Sequence, residues 1–186
     1  MPATAKEYGL EVNEYVDERY HPEKATRAAC RYLKSAYNKY GNWESAAASY
    51  NGGMGRISSE LASQLASSAY NLYLTPETSR YMFRLLAMKM IMEHPQRYGY
   101  HLTADQLYQP IECDTVHIDT TIVSWPEWAA RHDISYLTLR EANPWIRSKK
   151  LPNASRKTYI VNIPRKESLY RSTQPKHVYR KEWIKD

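Results

Sequence analysis

Tyr50 and Asn51, followed by Gly52, Gly53 and Gly55, are the residues whose types and spacing best fit ligand chemistry. They close the stretch NWESAAASYNGGMGR, in which an alanine-rich helix delivers Tyr50 and Asn51 to its end. Glycines there let the backbone turn sharply and approach a ligand closely. The Asn51 carboxamide both donates and accepts hydrogen bonds, which suits a sugar hydroxyl or an N-acetyl group. Tyr50 can stack or hydrogen-bond. A glycine-rich helix stop with a core tyrosine has the same pattern, so the stretch alone leaves both readings open. A catalytic acid needs reach and a tuned pKa. Glu44 precedes the Tyr-Asn pair by six residues and projects elsewhere on the helix, and Glu60 falls in a polar stretch. Cys30 and Cys113 are too few and too far apart for a disulfide framework or a zinc site, and no pattern calls for a metal or another cofactor.

The elements that must position these residues are mostly helical. PATAKEYGL reads as a helix that opens on Pro2 and stops at Gly9. Pro22 opens a second helix, with Ala25, Ala29, Tyr32, Ala36 and Tyr40 at helical spacing and Gly41 as its stop. Asn42 caps a third, whose Trp43, Ala46, Ala47 and Tyr50 share one face. Thr75 and Pro76 start a helix to about Glu93. Its body, YMFRLLAMKMIM, is apolar nearly all round, which predicts burial at the centre of the domain. The four Met residues here read as core filler.

Residues 98–113 read as a linker with one helical turn. Val116, Ile118, Thr120 and Ile122 alternate as in a strand. Ser124-Trp-Pro-Glu127 is a capping box, opening a short helix with Trp128, Ala129 and Ile134. Leu137, Leu139 and Ala142 fit a second, ended by Asn143-Pro144, and KTYIVNI reads as a second strand. The expected organisation is a helical domain over residues 1–97, a linker over 98–113, a strand–helix–helix–strand module over 114–164 and a basic tail over 165–186. The tail is expected either to be disordered or to cover a neighbouring surface.

Composition narrows the class of partner. A hydrophobic share of 42% supports a core, so the chain is not wholly disordered. Seventeen Tyr and five Trp stand against one Phe. Such rings suit a wet, sugar-lined cleft as well as ordinary packing. The net charge of +6 favours an anionic partner without choosing among nucleic acid, acidic membrane and acidic polymer. No apolar run is long enough to span a membrane, and the sequence as given opens on no export signal.

Three motifs in order resemble the C-terminal part of the soluble-lytic-transglycosylase domain, above all its membrane-bound murein transglycosylase D-like branch. Ala48-Ser49-Tyr50-Asn51-Gly52-Gly53 is similar to its A-Y-N-A-G. Glu77-Thr78-Ser79-Arg80-Tyr81 matches E-T-x-x-Y, and Asp17 to Ala25 matches D-x-R-x-x-P-E-K-A. The resemblance implies a lysozyme-like fold in which Tyr50, Asn51, Gly52, Glu77 and Tyr81 line a cleft for peptidoglycan glycan strands. It implies cleavage of the β-1,4 bond between N-acetylmuramic acid and N-acetylglucosamine, leaving a 1,6-anhydro product. One carboxylic acid protonates the leaving oxygen and then assists attack by the muramoyl 6-hydroxyl. In this family M-P-x-T-A follows G-L-M-Q, and the catalytic Glu lies about two dozen residues earlier, in an E-S motif. By the resemblance MPATA is interior, and the expectation is a domain without its N-terminal catalytic helix, inactive alone. The family's place is the periplasm or cell envelope. The family uses the Glu77 position for support around the cleft, and usually has Ala at the Gly52 position.

The second region is similar to a LysM module, which binds N-acetylglucosamine-containing chains. Trp128-Ala129, Ile134-Ser135, Leu139 and Asn143 fall at matching positions, and KTYIVNIP matches its closing strand. The usual G-D-T-L is replaced by Ile122-Val123-Ser124-Trp125, and a glycine by Asp133. The alternative reading is a non-catalytic binder of peptidoglycan or N-acetylglucosamine. Nucleic acid is the least supported partner.

Overall fold

The computed structural model describes residues 2–170, 177–178 and 180–184. In chain order its helices are α1 (Pro2–Glu7), α2 (Pro22–Tyr40), α3 (Trp43–Gly52), α4 (Met54–Ser63), α5 (Pro76–Glu93), α6 (Trp125–Arg131) and α7 (Tyr136–Ala142). Its strands are β1 (Cys113–Ile118) and β2 (Tyr159–Pro164). The chain folds as two units: Met1–Ala28 with Gln109–Gln174, and Ala29–Tyr108 with Pro175–Asp186. This differs from the expected division near residue 97. The cause is the segment after α1, whose partners lie in the strand–helix–helix–strand module.

In the first unit, α1 ends as expected. Gly9 has φ +81°, its N–H reaches the Lys6 carbonyl, and the Leu10 N–H reaches that of Ala5. That is a Schellman stop, which satisfies carbonyls the helix end leaves unpaired. The chain then folds against the module. Val16 bridges to Ile146, the Asp17 N–H donates to the Trp145 carbonyl and the Arg147 N–H to that of Tyr15. Val16 is fully buried among Trp125, Leu139, Ile146, Leu151 and Val161.

The module has the predicted order, with α6 and α7 between its strands. β1 pairs antiparallel with β2, and Val116 stands opposite Val161. β1 is shorter than the alternation predicts. It stops at Ile118, Thr120 is exposed, and Ile122 pairs separately with Leu151. Ser124 caps α6 by accepting from the Glu127 N–H. Asn143 is buried where α7 ends. It donates to the carbonyls of Leu139 and Asn162 and accepts from the Asn162 N–H at 2.8 Å. Asp133, standing where the resemblance has glycine, has φ +57°. Aspartate tolerates this left-handed region better than most residues, so the turn survives the replacement.

The second unit holds most of α2, then α3, α4 and α5. Its buried cluster is Ala48, Ile57, Ala69 and Met82. One expectation fails here. α5 is not the buried centre: Thr78 and Met82 are buried, whereas Phe83, Leu85, Leu86, Met88, Met90 and Met92 are exposed. Its first turns rest on α3, and no described residue buries the face beyond them. α3 leaves Trp43 and Tyr50 exposed. Its buried residues are Ser45, Ala46, Ala48 and Ser49. These small side chains allow close approach: Ser45 Oγ accepts from the Ala69 N–H, and the Tyr32 hydroxyl donates to the Ser49 carbonyl at 2.8 Å.

Residues 95–98 and 104–106 form 3₁₀ turns. Of the tail, residues 171–176, 179 and 185–186 lie outside the described residues. Its described end covers a surface of the second unit: Gln96 donates to the carbonyls of Glu182 and Ile184.

Candidate functional site

The site grows from the end of α3. Asn42 starts this helix by accepting from the Ser45 N–H. Gly53 ends it with φ +88° and ψ +139°, a combination essentially confined to glycine, while its N–H donates to the Ser49 carbonyl at 2.7 Å. The Gly53 carbonyl then accepts from the Ile57 N–H, so one residue both closes α3 and opens α4. Gly55 sits inside α4 with open space around it, so the turn does not require its being glycine.

Gly52 faces α5. A Cβ there would meet the Thr78 side chain at 3.4 Å and Ile57 at 3.5 Å, ordinary contact distances. Alanine therefore fits at this position, and the departure from the family pattern is sterically small. Thr78 is buried at this contact, with its hydroxyl 3.2 Å from that of Thr75. The α3–α5 seat fixes the height of the first α5 turns beside the Tyr50–Asn51 turn.

Tyr81 stands on α5 three residues after Thr78, half-buried and within electrostatic reach of Tyr50. Burial pushes the Tyr81 phenol above its usual pKa, and the neighbouring Tyr50 phenol adds to the shift. Tyr81 therefore stays neutral at physiological pH, able to donate or accept. Tyr50 is 46% exposed and packs edge-on against Tyr32, with ring centroids 5.4 Å apart. Asn51 is half-buried at the helix end, and its carboxamide takes no part in the bonds that hold the turn. Glu77 is exposed in the first turn of α5, four residues before Tyr81 and so on the same face. The predicted residues thus occupy two adjoining helix ends, α3 giving Tyr50, Asn51 and Gly52, and α5 giving Glu77 and Tyr81.

The two other carboxylates weighed from the sequence, Glu44 and Glu60, are engaged elsewhere. Glu44, at the opposite end of α3, accepts from Ser68 Oγ, and Glu60 accepts from Gln64. An open depression of about 610 Å³, lined by Glu93, His94, Arg180, Lys181 and Glu182, includes none of the predicted site residues. Among the described residues no His, Cys, Asp and Glu side chains cluster in a way that could hold a metal ion. No helix of the described residues is long and apolar enough to cross a membrane.

Sequence reasoning missed Thr78 as the buried support, Tyr32 as the ring beneath Tyr50, and the exposure of Trp43. The seven-residue spacing from Trp43 to Tyr50 places both on one helix face, a legible signal. The sequence does not tell which face is buried.

Two family models match the chain. Residues 1–73 match the transglycosylase SLT domain, and residues 114–167 the soluble lytic transglycosylase C-terminal LysM-like domain. Glu77 and Tyr81 lie beyond the first match. The chain is similar to the membrane-bound lytic murein transglycosylase D of Escherichia coli strain K12, at 26% identity over 173 residues, covering 90% of this chain. The protein of that name from Escherichia coli O6:H1 matches equally. The chain spans 37% of the length of these relatives.

Proposed function

We propose that this chain, a lytic transglycosylase sequence with an SLT part and a LysM-like part, holds a peptidoglycan glycan strand for non-hydrolytic cleavage in the cell envelope. The bond cleaved is the β-1,4 linkage between N-acetylmuramic acid and N-acetylglucosamine, and the product carries a 1,6-anhydro ring. The observation that carries this reading is the seating of Gly52 against Thr78, which sets the Tyr50–Asn51 turn beside the first turns of α5, where Glu77 and Tyr81 stand. This arrangement presents two phenols and a carboxamide, groups suited to hydroxyl and N-acetyl recognition.

The residues divide the work of holding the sugar. Asn51 donates to or accepts from the N-acetyl group. Tyr50 and Tyr81 contact the sugar face and its hydroxyls, and Glu77 supports the rim. Gly52 keeps the backbone close to α5. The general acid is not one of Glu44, Glu60 and Glu77 in this reading. The first two are held in other hydrogen bonds, and Glu77 sits exposed at the rim, whereas an acid catalyst of this kind needs a desolvated carboxyl. In this reading the 186 residues alone bind without cleaving, and the LysM-like module adds a second glycan contact.

Chitotriose binding to the purified chain tests the reading. Asn51→Ala should weaken it by roughly tenfold, the loss of one to two hydrogen bonds at a ligand. Unchanged binding, with the variant's helical circular dichroism intact, would remove Asn51 and the turn from the site.

A further inference from the structure

One stripe of α3 is open, and it carries two large aromatic residues. Trp43 is 59% exposed and Tyr50 46%. Seven residues along an α-helix advance about 10.5 Å and bring the side chain back within about 20° of the same direction. Ala47 lies between them on that face, half-exposed and too small to obstruct it. Each ring is backed by a tyrosine from α2. Tyr32 packs edge-on to Tyr50, and Tyr37 lies against Trp43 with centroids 4.4 Å apart and planes tilted by 31°. Tyr37 can cover only one face of the indole, which fits the exposure Trp43 retains.

We infer that Trp43, braced by Tyr37, is a second sugar platform, set so that a β-1,4-linked N-acetylhexosamine strand runs along α3 from Tyr50 to Trp43. The rise of α3 over these seven residues, about 10.5 Å, is about the length of one disaccharide repeat of such a strand. An exposed indole offers a broad apolar face to the axial C–H bonds of a pyranose, and its N–H serves a hydroxyl. The polymer class follows from the reading of the Tyr50–Asn51 turn, on which this inference rests. What it adds is a direction for the strand and a dependence on its length. A short oligomer occupies the Tyr50–Asn51 end, whereas a long one reaches Trp43 as well.

The test compares chitotriose and chitohexaose by titration calorimetry on the full chain and its variants. Trp43→Ala should weaken chitohexaose by roughly threefold to tenfold, the worth of one aromatic contact, and leave chitotriose within about twofold. Trp43→Phe should keep most of the difference, since a ring remains. Tyr37→Leu should reproduce part of the loss by freeing the indole from its brace. Circular dichroism on each variant checks that α3 still forms. Equal weakening of both oligomers, or no change in either, overturns the inference. If Asn51→Ala weakens chitotriose while Trp43→Ala leaves both oligomers unchanged, the platform fails and the Tyr50–Asn51 site stands. If neither oligomer binds the unaltered chain, both fail.

Discussion

The two units of this chain solve the burial problem differently. The first unit, which contains the LysM-like match, encloses Val16, Trp125, Leu139, Trp145, Ile146 and Leu151 in one cluster. The helical unit has a cluster of Ala48, Ile57, Ala69 and Met82, while the far part of α5 leaves Phe83 and several Met and Leu side chains exposed. Both units carry helices near the expected boundaries, except α4 in the helical unit, which the sequence reading does not anticipate. Helix formation is therefore a local matter settled by caps and stops, whereas stability depends on what covers the apolar faces.

If that contrast holds, the largest effect of a single substitution belongs to the LysM-like core. Trp125 is fully buried, with Trp128 and Trp145 edge-on around it. Trp125→Ala should cost about 3–5 kcal/mol, read by denaturant unfolding followed through the remaining Trp fluorescence. A loss under about 1 kcal/mol would mean that the cluster is not the packed centre of the unit. Asn143→Ala comes next, at about 1–3 kcal/mol, because it leaves the Asn162 backbone groups unpaired beside a buried helix end.

Acid should also act on the first unit. Asp17 and Glu18 are buried carboxylates. Arg19 donates through two nitrogens to Asp17, at 2.8 and 2.6 Å, and holds its carboxyl below the usual pKa. Burial alone would raise Glu18, but the Glu11 N–H and the Lys24 ammonium outweigh it and the carboxyl lies below its ordinary range. A lowered folded pKa stabilises the fold above the unfolded value, near pH 4, and that stabilisation is lost as pH falls further. The melting temperature of the unit should therefore fall between about pH 4 and about pH 2, and Asp17→Asn should flatten that slope. A flat profile in the unaltered chain would contradict the buried ion pairs.

In the helical unit the contrast sharpens at two adjacent glycines. Gly53→Ala should cost about 1–2 kcal/mol, because a side chain there is forced into a backbone conformation that L-residues avoid. Gly52→Ala should stay within about 0.5 kcal/mol, since its Cβ meets ordinary contact distances. Smallest of all is Met90→Lys on the open part of α5, also within about 0.5 kcal/mol. Denaturant unfolding reads all three, and a loss of several kcal/mol for Met90→Lys would show that α5 is covered in solution.

Local chemistry in the sequence was enough for most elements. Gly9, Gly41 and Asn42 stop or cap helices where their types predict, and Ser124 and Asn143 bound the module's helices. The candidate site was legible to the extent that its residues sit at helix ends marked by Gly and Pro. Three things were not. The pattern of α3 does not reveal that its small side chains, and not Trp43 and Tyr50, face the interior, because close backbone approach favours Ser and Ala. The apolar run of α5 says what the helix would bury, not what is present to bury it. The packing of Val16 against Ile146 joins positions far apart in the chain, which no local period encodes.

By the function proposed above, this chain grips a glycan strand and does not cut it. Incubating the purified chain with insoluble peptidoglycan tests both halves in one tube. The protein is expected to sediment with the polymer, to do so still at about 1 M salt, where the Debye length is about 3 Å, and to release no 1,6-anhydromuropeptide. Protein left in the supernatant at high salt, or a soluble 1,6-anhydro product that Glu77→Gln abolishes, would contradict it.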